Sequence, residues 1–326
     1  MTTNAPTEAV PVVAESRRRR RKRRLSSEPR SLLDKQRRKL FIPLVAPAFM
    51  FYSVLFIVPA IAALWISLHR WSGAGPMDWV GLKNYRFILT NDLFMNSFKN
   101  TMILLFVVGT AIFVIAFGLT LVLRDMWGKS LVRSVIFFPH LVNALVFGVL
   151  AGFIFNPNGL ANTMLRGLGF ENVPAWLAPE NIFPLIMLTM ILTTTGYFTT
   201  ILMAGVDRIP HYLFEDCALA GANGWQRLRH LILPLTWDVF ATCAVLWTIS
   251  SVKIFEVIWL FGGASTEGGP PVQTWTVAVY TFVQAFSGRS IPDFGRATAS
   301  AVVSLLLVIV LVVLLRRITR REAIEF

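Results

Sequence analysis

Cysteine, histidine and charge are all scarce in this chain. Cys217 and Cys243 are the only two cysteines. One lies in a polar loop and the other in a long apolar run, and neither setting favours a disulfide. No CxxC pair occurs, and His69, His140, His211 and His230 are scattered along 326 residues, so a metal site has little support. Charged residues make up 15% of the sequence against 55% hydrophobic ones. With a mean hydropathy of +0.61, this lies outside the balance of an ordinary water-soluble domain. Also missing are a GxxxxGK[ST] loop to cradle phosphate, a GxSxG nucleophile elbow and an HExxH pair. The glycine pairs Gly262-Gly263 and Gly268-Gly269 lack a following Lys-Ser or Lys-Thr and read as turns. If ATP drives this protein, another chain must bind it.

What is abundant is long apolar sequence. A helix needs about 20 mainly apolar residues to cross a bilayer. Six runs qualify: Ile42 to Leu68, Asn100 to Leu123, Ser134 to Phe155, Ile182 to Ala204, Leu235 to Phe261 and Ala297 to Leu315. A transmembrane β-barrel would instead show many alternating segments of about ten residues. The expected fold class is therefore all-α, a polytopic membrane protein with six transmembrane helices.

The formal net charge of +13 would suggest nucleic acid in a soluble chain, but its placement points to a membrane. Arg17 to Arg24 and Arg37, Arg38 and Lys39 precede the first run and favour a cytoplasmic N-terminus. Six spans return the C-terminus to that side. Arg124, Lys129 and Arg133 fall in one predicted cytoplasmic loop, Arg208, Arg227 and Arg229 in another, and Arg316, Arg317, Arg320 and Arg321 in the tail. Lys83, Arg86 and Lys99, in the first outer loop, fit the rule less well. Residues 1–39 read as a disordered basic cytoplasmic arm that sets topology and leans on anionic lipid headgroups. Neither a cleaved signal peptide nor a nucleic-acid partner is expected.

Ionisable groups inside apolar runs are costly and usually face a cavity or a partner. Asp238, Lys253 and Glu256 fall in the fifth run. The last two, three apart, are expected on one helical face, where they can pair. That face, with Trp247, Ser250 and Ser251 adding stacking and hydrogen bonding, is the candidate pathway for a polyhydroxylated solute.

The segment between the fourth and fifth runs, residues 205–234, holds the most specific pattern. From Asp207 to Pro234 it reads as a short cytoplasmic helix, a turn and a lead into the membrane. Pro210 suits a first helical turn, Glu215 complements the positive end of the helix, and Gly221 can stop it. Cys217, Ala218, Ala220 and Ala222 allow close approach, while Leu213, Phe214 and Leu219 supply apolar contact, as for a helix offered to a groove.

This segment resembles the EAA loop of binding-protein-dependent ABC importer permeases: E-A-A, three residues, G, nine residues, then I-x-L-P. Glu215, Gly221, Leu233 and Pro234 match in register, while Asp216, Cys217, Ala220 and Leu231 depart from the usual residues. Trp79 to Tyr85 is similar to the W-x-G-x-x-N-Y segment of sugar-type permeases, and Asn100-Thr101 to the N-T that follows it. Met203 to Pro210, Thr266 to Pro270 and Tyr280 to Phe286 also resemble the maltose-type subclass.

The resemblance covers roughly residues 40–326 and implies an ABC importer transmembrane domain in the bacterial cytoplasmic membrane. It implies that Glu215 and Gly221 belong to a coupling helix docked on a cytoplasmic ATPase, with Leu213, Phe214, Ala218 and Ala222 completing that surface. It also implies a second permease subunit, an ATPase dimer holding ATP and Mg, and an extracytoplasmic solute-binding protein that delivers a mono- or oligosaccharide. No cofactor and no catalysis are expected on this chain. Glycerol phosphate or another polar solute is the alternative cargo, and a self-sufficient secondary transporter or an intramembrane enzyme the alternative class.

Overall fold

The computed structural model describes residues 32–124, 126–263, 269–286 and 291–319. Most of the basic arm, the Thr266 to Gly268 part of the glycine-rich motif, and Arg320 and Arg321 lie outside them. The chain divides into two units, Met1–Ala62 and Ala63–Phe326. The first contributes most of α1 (Pro43–Ile66), an apolar helix that carries Pro43 and Pro47 and a single wide π-type turn over Ser53–Ile57.

In the second unit, β1 (His69–Arg70) pairs antiparallel with β2 (Asp78–Trp79). Next come α2 (Lys83–Thr90), α3 (Asp92–Arg124), α4 (Lys129–Leu141), α5 (Ala144–Ile154) and α6 (Leu160–Gly167). They are followed by α7 (Ile182–Val206), α8 (His211–Leu219), α9 (Gly224–Leu235), α10 (Trp237–Val252) and α11 (Glu256–Gly263). The last two are α12 (Val277–Phe286) and α13 (Phe294–Thr319). Helix dominates, as the long apolar runs require.

Four helices, α1, α3, α7 and α13, are individually long and apolar enough to cross a membrane. The other two apolar runs are not continuous helices. The third breaks between α4 and α5 with an 89° bend. Pro139 lies near the end of α4, Val142 turns extended, and the Asn143 side chain accepts from the Leu145 N–H at 2.8 Å to start α5. The fifth run corrects a sequence expectation. Its helix stops at Val252 with Lys253 as C-cap and restarts at Glu256. The Thr276 hydroxyl takes the Ile254 carbonyl freed by the break. Lys253 and Glu256 therefore do not share a helical face, and no ion pair joins them among the described residues.

Glycines set the closest helix crossings. A Cβ on Gly196 of α7 would lie 1.9 Å from the Ile136 carbonyl oxygen of α4, and one on Gly148 of α5 would lie 2.4 Å from the Leu260 Cβ of α11. Both broken elements are thus held tightly against their neighbours.

One end of the second unit is clasped by asparagines of the sugar-type motifs. Asn84 donates to the Ser67 and His69 carbonyls at 2.9 and 2.8 Å, and the Tyr85 hydroxyl meets that of Ser67 at 2.6 Å. Gly81, at φ +58°, makes the turn that leads into α2. Asn100 of α3 donates to the Gln273 and Trp275 carbonyls at 2.7 and 2.9 Å, while the Thr101 hydroxyl accepts from the Val277 N–H. These residues tie the start of α3 to the start of α12. Replacing Asn100 with Leu leaves two carbonyls without their donor and should cost about 2–4 kcal/mol. A lowered melting temperature of the purified protein is the readout, and an unchanged one would refute the clasp.

At the other end the basic residues gather. Lys129, at the start of α4, pairs with Asp207 after α7 at 3.7 Å. The Arg124 guanidinium, ending α3, sits 3.1 Å from the centre of the Phe214 ring of α8. The Trp237 indole donates to the Thr319 carbonyl, which brings the last turn of α13, with Arg316 and Arg317, to the same end.

Candidate functional site

The segment from Asp207 to Leu235 folds by local rules legible in its residues. Pro210 is the N-cap of α8, and the helix closes through two reverse bonds around Gly221. The Gly221 N–H donates to the Ala218 carbonyl at 3.0 Å and the Ala222 N–H to the Cys217 carbonyl at 2.9 Å. This is a Schellman ending, which needs a left-handed residue, and Gly221 has φ +70°. Asn223 and Gln226 then form a reciprocal capping box that starts α9 at once. The Arg227 side chain donates to the Ala222 carbonyl at 3.2 Å, locking the two helices around the turn.

The faces of α8 divide differently from the sequence expectation. Phe214 is buried, packed with Val206, Ile209, Leu231 and Ile232 and covered by Arg124, and Leu213 and Cys217 pack against the same cluster. Phe214 is thus an anchor to this chain and not part of an open docking face. Half-buried Leu213 leans the same way. Ala222 is half-buried beside the turn. Glu215, Asp216, Ala218, Ala220 and Gly221 face outward, and Leu219 is 88% exposed. An apolar side chain held in the open at the tip of a helix closed by a Schellman turn suits a partner surface.

Truncating Phe214 to Ala removes both the burial and the stacked guanidinium, about 2–3 kcal/mol of anchoring. Proteolysis within residues 205–234 should accelerate on the order of 10–100-fold, whereas Leu219→Ala should leave it unchanged. Equal rates in wild type and Phe214→Ala would contradict the anchoring role.

The five candidate pathway residues also separate. Trp247 is buried, and its indole N–H donates to the Leu105 carbonyl at 2.9 Å. Leu105 lies in a π-type turn of α3, Leu104–Val108, where the wider winding frees a carbonyl. Gly109 leaves the room, since a Cβ there would lie 2.2 Å from the Trp247 Nε1. Trp247 therefore stitches α10 to α3. It also borders an 880 Å³ cavity lined almost wholly by apolar side chains such as Phe113, Phe117 and Phe240, which offers a sugar few hydrogen bonds. Ser251 is buried, and its hydroxyl donates to the Thr248 carbonyl. Ser250, Lys253 and Glu256 are exposed.

A second, smaller cavity of about 410 Å³ opens where the broken pair α4 and α5 meets α7 and the start of α11. Its lining includes His140, Asn143, Thr189, Thr193, Thr194 and Glu256. Of the pathway candidates only Glu256 reaches it. Of the other five polar groups the sequence singled out only His140, and only as one of four scattered histidines, although Asn143 inside an apolar run carried a signal for the helix restart.

Residues 112–323 match the model of a family described as "Binding-protein-dependent transport system inner membrane component". The chain is 31% identical to the alpha-glucoside transport system permease protein AglF of Rhizobium meliloti (strain 1021), over 81% of this chain and 77% of that protein. It is 28% identical to the trehalose/maltose transport system permease protein MalF of Thermococcus litoralis, over 85% of this chain and 92% of that protein. In fold it is similar to a subunit in the crystal structure of a bacterial ABC transporter involved in import of the acidic polysaccharide alginate. That match has a TM-score of 0.72 and 20% identity, over 90% of this chain and 99% of the other.

Proposed function

Because the chain belongs to the family of binding-protein-dependent transport system inner membrane components, we propose that it is one of two permease subunits of an ATP-driven importer, passing a sugar delivered by an extracytoplasmic binding protein. As a multi-pass inner-membrane protein it shares its family's location. The observation that carries the reading is α8, an exposed helix closed by Gly221 at the basic end of the protein.

In this reading the transmembrane domain spans residues 40–326, with a coupling segment at 205–234 and a basic arm at 1–39. The membrane is crossed six times, with α4 and α5 counting as one bent span and α9 and α10, which meet at a 75° bend, as another. Both termini lie in the cytoplasm, where the positive-inside rule puts the end carrying Arg124, Lys129, Arg316 and Arg317. Glu215, Ala218 and Gly221 meet a separate ATPase chain, which holds ATP and Mg, while Phe214 and Leu213 bind α8 to its own bundle. Closure of the ATPase pair favours one global arrangement of the permease pair, and α8 conveys that bias through its anchored face. The relatives' names, alpha-glucoside and trehalose/maltose transport, support a saccharide cargo.

The test is reconstitution. Proteoliposomes holding this chain with its second permease subunit and ATPases should accumulate sugar only with ATP and a loaded binding protein. Transport by this chain alone, without ATP, would favour the secondary-transporter class instead.

A further inference from the structure

The loop between α5 and α7 contains a helix of inverted polarity. On α6, Leu160, Met164 and Leu168 recur every four residues along one face and are 56%, 62% and 75% exposed. The buried residue of the helix is instead an asparagine, Asn162, at 1% exposure. Its side-chain amide donates to the Pro157 carbonyl at 3.2 Å and the Pro174 carbonyl at 3.5 Å, and its oxygen accepts from the Trp176 indole at 2.8 Å. Arg166, the one charged residue of α6, also turns back to donate to the Pro157 carbonyl at 3.4 Å. In a loop surrounded by water the leucines would fold inward and the amide outward. Chain continuity places the exposed face at the edge of a membrane span. Helix α5 is the second half of the bent pair α4–α5. Its Val146, Val149, Leu150 and Phe153 form an exposed apolar stripe at i, i+3, i+4 and i+7, while Gly148 turns to Leu260 of α11. Phe155 to Gly159 join α5 to α6, and a Cβ on Gly159 would overlap the Phe153 and Ile154 carbonyls. Helix α6 therefore starts where the apolar stripe of the span ends.

Resting on the topology of the transport reading above, we propose that α6 is an interfacial anchor lying flat on the extracytoplasmic leaflet. Leu160, Met164 and Leu168 enter the boundary between headgroups and acyl chains, and Thr163, about 100° round the helix from Met164, stays nearer water. Amphipathic helices bind this way, with the apolar face about 5–10 Å into the boundary. The uncharged stripe suits lipid, and its polar side is already tied to the protein by Asn162 and Arg166. The anchor fixes the height of the 156–181 loop above the bilayer. The Asn162–Trp176 bond passes that fixed position to the main core, against which Trp176 packs.

The test measures depth in proteoliposomes holding the assembled importer, with Cys217→Ser and Cys243→Ser as background. Nitroxide labels are attached one at a time at Leu160→Cys, Met164→Cys, Leu168→Cys and Thr163→Cys. Their collision rates with oxygen, which concentrates in hydrocarbon, and with a water-soluble nickel chelate are compared. The oxygen-to-nickel ratio should be at least about threefold higher at the three stripe positions than at Thr163→Cys. Equal, water-like ratios at all four overturn the proposal. So do stripe labels that lose access to both reagents only when the loaded binding protein is added, which would make the stripe a protein-docking face. Thr163→Cys in intact spheroplasts, treated with an impermeant maleimide, separates the two readings. A thiol reached from outside alongside equal ratios removes the anchor alone, whereas a thiol reached only from the cytoplasmic side removes the topology and the anchor together.

Discussion

Replacing Gly221 with Val should reduce ATP-dependent uptake at least tenfold while leaving the chain folded and in the membrane. Gly221 sits at φ +70° with open space around the position of a Cβ, so the penalty is backbone strain and not a clash. A non-glycine residue in the left-handed region costs about 1–2 kcal/mol, more when β-branched. The strained chain escapes by giving up the two reverse bonds to Ala218 and Cys217, which shifts the exposed tip with Leu219 and Ala218. Because Phe214 and the capping box hold either side of the turn, the damage stays local. Gly221→Asn is the control, since Asn tolerates this conformation and should retain most uptake. Wild-type uptake in Gly221→Val would remove the turn from the coupling route.

Gly196→Ala should be the most damaging small substitution in the bundle. The new methyl would lie 1.9 Å from the Ile136 carbonyl oxygen and 2.6 Å from its carbon, and backbone cannot swing aside as a side chain can. Helices α4 and α7 must part by more than about 1 Å, losing the dispersion contacts along their crossing. A cost of about 3 kcal/mol or more is expected. The cavity beside His140 and Thr193 would be distorted with it. Gly205→Ala, also on α7, is the comparison: its methyl would meet the Val239 side chain at 3.0 Å, which can adjust. Melting curves of the two detergent-solubilised variants should differ by many degrees, and similar curves would mean the α4–α7 crossing is looser than the structure places it.

Both glycines illustrate what the sequence disclosed and what it withheld. Gly221 was readable because its role is local: a helix of small and apolar residues followed by a glycine predicts a left-handed stop, whatever surrounds it. The apolar runs were readable for a similar reason, since span length depends on composition alone. Gly196 was not, because nothing near it in sequence names Ile136, some sixty residues upstream, as its neighbour. The same limit explains Trp247. A Trp next to Ser and Thr in an apolar run fits a sugar-stacking wall, and only the π-type turn of α3 shows its N–H committed to Leu105. The broken runs lie between these cases. Asn143 four residues after Pro139 is a legible stop and restart, yet hydropathy averaged over a window passes across it. The break after Val252 depends on Thr276 capturing the Ile254 carbonyl from a distant loop, which no local pattern predicts. Phe214 was expected to face a partner because apolar residues on a short exposed helix suit either side equally, and the choice was made by Arg124 and the Ile209–Ile232 cluster.

The Asn84 and Asn100 clasps change the meaning of two family-like motifs. Trp79 to Tyr85 and Asn100-Thr101 looked like signatures of a transport class. In the structure their polar side chains satisfy backbone carbonyls and an N–H at the end opposite the basic residues. They build the scaffold on which α3, α12 and α13 converge, so in this chain the two motifs serve architecture.

The most direct measurement is site-specific photocrosslinking from position 219 in the native membranes of the host, with the adducts identified by mass spectrometry. Leu219 is 88% exposed at the tip of α8, where a photoreactive residue disturbs no internal packing. The account predicts one dominant adduct, a separate chain carrying a phosphate-binding Walker motif, with its yield changing when ATP is trapped. Adducts confined to lipid or to this chain, with no ATPase partner captured under any nucleotide condition, would contradict it.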